Sequence, residues 1–255
     1  MERDRTIMPG RRIMLIGGYG MEIVECGGSL VKNARAGGVS HAVLAFVGEK
    51  MRDDLEKSAA ILETTVEYLD LDTAEISASI PEKIKLVRAI RAFRPDIIIT
   101  QDPEHCIADF DPGRRPLMML ILESIALAGR AFALEETAPH EPHSGATLYY
   151  MTPEKPNCIV DILPVWDAVR AAMDVLESQL TFSAHHYERI MSAREIHELV
   201  PNWDELPTYL EKGKEAKRQI DRATALFYGA CGHSSLLLSE AYRKQELFEL
   251  DNLMI

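Results

Sequence analysis

Strands and helices alternate through the first hundred residues, and this alternation constrains the fold more than any other feature. "RRIMLIGG" is basic, then apolar, then glycine, and reads as a buried first strand. Ile23, Gly27, Leu30 and Ala34 follow at helical spacing. "HAVLAFVG" is a second apolar run of strand length, "DDLEKSAAILET" is helical, and "TVEYLDL" is a third strand. "PEKIKLVRAIRAF" opens with Pro81 in a favoured helix-start position and carries Ile84, Val87, Ile90 and Phe93 on one face. "PDIIITQD" is a fourth strand, buried on both sides. The pattern predicts an α/β fold of Rossmann-like type, with a mainly parallel sheet and helices on both faces. Ligands of such sheets sit at the carboxyl ends of strands. Two loops are therefore singled out: the glycine turn "GGYGM" after the first strand, and "QDPEHCIADFDPGRR" after the fourth.

The second half changes character. "GATLYYM" and "NCIVDI" read as two further strands. "LPVWDAVRAAMDVLESQL" reads as one amphipathic helix, with Val165, Val169, Met173, Leu176 and Leu180 on a stripe. From about Thr181 onward the sequence predicts mostly charged helix, and residues 132–145 are expected to form a long surface loop. No linker separates two units, so residues 1–255 are expected to form one domain, with 1–162 as the core and 163–255 as its mostly helical completion.

Charge and cysteine usage narrow the partners. The formal net charge of −12 argues against nucleic acid and against an anionic membrane surface. Cys26, Cys106, Cys158 and Cys231 are widely spaced, as expected of reduced thiols rather than a disulfide framework or a zinc ribbon. The first residues carry no apolar signal core, and no apolar run approaches the ~20 residues of a membrane span. The expectation is a soluble cytoplasmic protein.

The glycine turn does not satisfy a dinucleotide fingerprint. The third glycine of that motif would fall at Ile23, no acidic residue closes the second strand at the required spacing, and Glu22 and Glu25 oppose a phosphate at the helix start.

"GGYGMEIVECGGSL", "RPDIIITQDPEH", "DFDPGRRPLMMLILESIALAG", "IVDILPVWDAVRAAMDVLESQ" and "GHSSLLLSEAYR" together resemble the PIG-L/LmbE family, the zinc-dependent N-acetylglucosaminyl deacetylases and their relatives. The resemblance runs over most of the chain and keeps Glu22, Cys26, Gly27, Gly28, Asp161, Trp166, Ser178, Gln179, Glu240 and Ala241. It implies a Rossmann-like fold, a deacetylase-type hydrolase and commonly a homo-oligomer. The reacting groups are not kept. Gly18 stands where the family has a metal-binding histidine, Gly20 where it has the general-base aspartate, and Met21 where it has a second aspartate ligand. Asp111, Gly113 and Arg114 replace the histidine, aspartate and metal-binding histidine of the second motif, and Leu176 replaces the histidine of the third. Catalytic zinc requires about three N or O ligands and an open position. Glycine, methionine and arginine do not supply them. No cofactor is expected, and zinc only if other residues act as displaced ligands.

Several residues are open to two readings. Arg114 is positioned to replace the metal's charge and hold a small anionic or sugar-like molecule, whereas one of Arg114 and Arg115 is expected to lie in a solvated Asp–Arg loop. Tyr19 either plugs the vacated space or, with Gly20, contacts a ligand. Met21 reads as filler. Glu22 is either a helix-start charge or, if buried, an acid/base group, with Asp111 as its catalytic companion. His105, Asp109 and Asp111 share one loop as a minority metal site, and His143 is a candidate pocket residue. His185 and His186 read as surface or interface residues, and His233 and Ser234 as a candidate oligomer contact. Three functions follow: a non-catalytic or metal-free homologue that binds an anionic ligand or a partner; a repurposed metal-independent hydratase, lyase or amidase using Glu22, Asp111 and Arg114; and a zinc hydrolase with displaced ligands.

Overall fold

The computed structural model describes residues 10–232 and 234–245. His233 lies outside the described residues.

The predicted alternation folds as expected. Strands β1 (Arg12–Gly17), β2 (Val39–Leu44), β3 (Thr64–Tyr68), β4 (Ile97–Gln101) and β5 (Thr147–Met151) are parallel. With β6 (Cys158–Asp161) and β7 (Ser239–Lys244) they form one seven-stranded sheet in the order β3-β2-β1-β4-β5-β7-β6. β1 has its neighbours β2 and β4 on opposite sides, so the chain reverses direction across the sheet there and opens a crevice at its carboxyl end. Side chains alternate across β1. Leu15 belongs to the core on one face with Ile23, Leu30 and Leu44, while Met14 and Ile16 belong to the other with Leu86, Ile90 and Leu117. Helices α1 (Glu22–Glu25), α2 (Gly27–Arg35) and α3 (Glu49–Ile61) cover the first face. Helices α4 (Ile80–Phe93) and α6 (Arg114–Ala128) cover the second, and α5 (Pro103–Ala108) sits between β4 and α6. Ser79 and Glu82 close a capping box at the start of α4, with proline in its first turn.

Two expectations are corrected. The predicted single helix after β6 is two, α7 (Trp166–Asp174) and α8 (Glu177–Ile190), broken at Val175 and Leu176. The break leaves the apolar stripe intact, because Val165, Val169, Met173, Leu176 and Leu180 are all buried. The chain bends so that one stripe follows a curved core. The second correction concerns the end of the chain. After α9 (Ala193–Leu199) and α10 (Tyr209–Tyr228), residues expected to stay helical form β7, antiparallel between β5 and β6. Ser239, Glu240, Ala241 and Tyr242 are all buried, so this strand lacks the half-polar alternation that would reveal it. β7 draws residues from beyond position 163 into the central sheet. No helix among the described residues is long and apolar enough to cross a membrane.

Candidate functional site

At the carboxyl end of β1 the chain turns through Gly17, Gly18, Tyr19 and Gly20 and enters α1 at Glu22. Turn and helix start together fold Glu22 back over the turn. Its Oε1 accepts from the Gly18 N–H at 3.3 Å, and its Oε2 from the Tyr19 N–H at 2.5 Å. The β4–α6 loop supplies the counter-charge. Arg114, the first residue of α6, donates from Nη1 to Glu22 Oε1 at 2.9 Å and to Gln101 Oε1 at 3.2 Å. Gln101 Nε2 donates back to the Arg114 carbonyl at 3.1 Å. Arg114 Nε has no hydrogen-bond partner among the described residues, and the nearby Asp109 Oδ2 lies 3.7 Å away.

Tyr19 completes the closure. Its hydroxyl donates to Asp111 Oδ2 at 2.5 Å, while Asp111 Oδ1 accepts from the Gly113 N–H at 2.8 Å. The Arg114 guanidinium carbon lies 5.0 Å from the Tyr19 ring centroid, within cation–π range. The Phe46 ring also packs against Tyr19, tilted, at 5.5 Å between centroids. Tyr19, Glu22, Asp111 and Arg114 are thus one connected network built from both loops that the sequence singled out.

Burial tunes this network. The Glu22 side chain is 4% exposed, and burial pushes its carboxyl up to about 7 against the pull of Arg114 and the two backbone donors. The Arg114 guanidinium is raised: burial opposes its charge, but Glu22, with Cys106 and Asp109 behind it, gives a net rise. Tyr19 is raised by burial and by its bond to Asp111. Glu22 is the group here able to change protonation near neutrality.

The other candidates divide. Met21 packs partly buried against the core, as filler does. Arg115 is exposed and donates to the Asp109 carbonyl at 2.5 Å, so it is the arginine held by its own loop. His105 lies on α5 rather than in an irregular loop, 3.8 Å from Asp109 Oδ2. His143 is not brought to the site. Its Nε2 bonds to the Pro95 carbonyl at 2.8 Å, just before β4 begins, so it sits at the amino end of the sheet, opposite Glu22. The long loop before β5 returns the chain to the start of that strand, which is why a residue there cannot reach the carboxyl ends. Cys26 is fully buried, and burial drives its thiol pKa well up, as expected of a packing residue. His185 stacks on Tyr209 and His186 on Phe182, both away from the turn.

A zinc site of the deacetylase type does not fit these residues. A Cβ at Gly18 would stand 3.0 Å from Leu117 Cδ2, one at Gly20 2.7 Å from Leu55 Cδ2, and one at Gly113 3.2 Å from Phe46 Cε2. Core side chains already fill the places from which ligands would reach inward. Among the described residues no group of three or more His, Cys, Asp or Glu is placed to hold a metal ion. Leu55, Phe46 and Gln101 are the participants that sequence motifs missed. Gln101 was readable as the last residue of a buried strand, but Leu55 and Phe46 arrive by tertiary packing alone.

The fold and the site's position define the class: a Rossmann-like α/β protein with a polar network at the carboxyl ends of β1 and β4. No protein-family model and no curated protein matches the sequence. Solved structures match the fold, which is that of PIG-L/LmbE proteins. N,N'-diacetylchitobiose deacetylase from Pyrococcus horikoshii is similar at a TM-score of 0.67 and 21% identity, over 92% of this chain and 84% of that one. GalB, the 4-carboxy-2-hydroxymuconate hydratase of Pseudomonas putida, is similar at 0.60 and 18% identity, over 97% of this chain and 100% of that one. A conserved protein from Thermus thermophilus is similar at 0.65 and 18%, over 96% and 97%.

Proposed function

We propose that this protein is a metal-free, non-catalytic relative of the PIG-L/LmbE deacetylases that binds a small anionic ligand or a partner. The observation that carries this reading is the closed network in which Arg114 takes the place of a metal charge and spends it on Glu22 at 2.9 Å. Glu22 protonates near neutrality. Once it does, the Arg114 guanidinium is free to hold a carboxylate or phosphate from a ligand. The partner half of the reading is supported by the same loop, where Phe110 is 99% and Ile107 64% exposed. A homo-oligomer is the simplest partner.

The test is direct. Protein purified without a histidine tag is expected to contain no stoichiometric zinc by elemental analysis, and one zinc per chain would overturn the metal-free reading. Arg114→Ala is expected to abolish binding of a dicarboxylate probe such as malonate, and unchanged affinity would remove the anion site.

A second reading has a specific observation behind it. A carboxyl pushed up to about 7 beside an arginine is also what a general acid/base requires. Under that reading Arg114 orients a substrate carboxylate and Glu22 moves the proton. GalB-like hydration of 4-carboxy-2-hydroxymuconate is the assay: turnover that disappears in Glu22→Gln selects the enzyme over the binding protein.

A further inference from the structure

One turn beyond Glu22, Glu25 faces a different space. A cavity of about 240 Å³ lies between α1, α7, α10 and β7. Most of its wall is apolar, from Met151, Trp166, Val169, Met173 and Tyr228. Its charged residues are Glu25, Lys217, Asp221 and Glu240, and the Glu240 carboxylate is already taken up by the Gly28 and Ser29 N–H groups and the Ser29 and Tyr242 hydroxyls. Lys217 Nζ is paired with Asp221 Oδ1 at 2.7 Å, so the single ammonium is already matched by a carboxylate. Glu25 has no hydrogen-bond partner for its carboxylate among the described residues and meets Lys217 only at longer range. It is exposed and stands at the rim of the cavity, where the surrounding protein raises its carboxyl pKa. A second observation comes from Ser239 on β7. It is 1% exposed, it lines the cavity, and its hydroxyl has no partner among the described residues. Buried polar groups without partners are uncommon in native proteins, and each calls for a ligand, a water or an ion.

With Glu240 bonded to its own donors, Glu25 and Asp221 face one ammonium, and the excess negative charge stands at the mouth of an apolar cavity. An anion brought there would meet that excess, whereas a cation would relieve it. The volume falls below the about 300–1,000 Å³ that holds drug-sized molecules. The geometry points to this cavity as a binding site for a small primary amine in its ammonium form, the apolar body lying against Trp166 and Met173 and the charge against Glu25. This site is distinct from the Glu22–Arg114 network and prefers ligands of the opposite charge.

The experiment is calorimetric titration of the full chain near neutral pH with benzylamine, benzyl alcohol and benzoate, three probes that share one body and differ in charge. Benzylamine is expected to bind at least tenfold more tightly than benzyl alcohol, and benzoate not at all. Glu25→Gln is expected to lower benzylamine affinity at least tenfold. So is Asp221→Asn, which releases Lys217 to neutralise Glu25 and serves if Glu25→Gln does not fold. Tyr19→Phe, which touches only the other site, is expected to leave the affinity within twofold. Equal binding of benzylamine and benzyl alcohol, tighter binding of benzoate, or amine affinity unmoved by either carboxylate substitution would each overturn the proposal.

Discussion

Among the described residues two glutamates are buried, Glu22 and Glu240, and they are held in opposite ways. Glu22 at the end of β1 is satisfied by a cation and two backbone N–H groups. Glu240 on β7 has no cation partner among the described residues. It accepts from the Gly28 N–H at 2.7 Å, the Ser29 N–H at 2.9 Å, the Ser29 hydroxyl at 2.6 Å and the Tyr242 hydroxyl at 2.8 Å. It thereby caps the amino end of α2, where two backbone donors and the helix dipole favour a negative charge. Gly28 makes this approach possible, since a Cβ there would stand 2.7 Å from Glu240 Oε1 and 2.4 Å from Ile162 Cγ2. Burial raises both carboxyls. The difference is in what can be exchanged. Glu240 joins the last strand to the first face of the sheet and is bonded to fixed donors. Glu22 is bonded to a side chain that a competing anion can claim.

The comparison predicts a ranking of effects. Glu240→Ala is expected to cost most, about 4 kcal/mol in urea denaturation, because it orphans buried donors on α2 and on Tyr242. A loss below about 1 kcal/mol would mean that β7 is not anchored through this residue. Arg114→Ala comes next, at about 3 kcal/mol, since it leaves the buried Glu22 carboxylate without its cation. Adding Glu22→Gln to that variant is expected to restore about half of the loss, and strictly additive losses would break the pairing of the two residues.

The pH dependence follows in size. An unfolded glutamate releases its proton near 4.5, whereas folded Glu22 keeps it up to about 7. Between these values the native state holds more protons than the unfolded one, so stability falls as pH rises through that window. Glu240 contributes a slope of the same sign. Glu22→Gln is therefore expected to flatten the decline in part, and an unchanged slope in denaturant midpoints between pH 5 and 7 would show that Glu22 titrates as an ordinary carboxylate. The smallest effect is expected for Tyr19→Phe, about 1 kcal/mol for one hydrogen bond to Asp111.

Much of this was legible in the sequence, for identifiable reasons. The first four strands announce themselves by apolar runs bounded by glycine and proline, and their carboxyl ends locate Glu22, Tyr19, Asp111 and Arg114 together. β7 was not legible, because Glu240 is as buried as the apolar residues beside it and its partners on α2 lie more than two hundred residues away in sequence. His143 was misplaced because a loop's return path depends on the strand it serves. The pairing of Glu22 with Arg114 was not legible either: the sequence offered a cation for a ligand, and the fold supplied a glutamate first.

The leucines beside the turn set the terms on which any metal ligand could be introduced there. A single substitution of Gly20 by aspartate meets Leu55, and one of Gly18 by histidine meets Leu117. A ligand side chain at either position therefore requires the facing leucine to shift its terminal methyls. The turn's geometry and its core are thus matched to one another, so ligands are expected to be accepted at Gly18 and Gly20 more readily when Leu117 and Leu55 are shortened in the same variant.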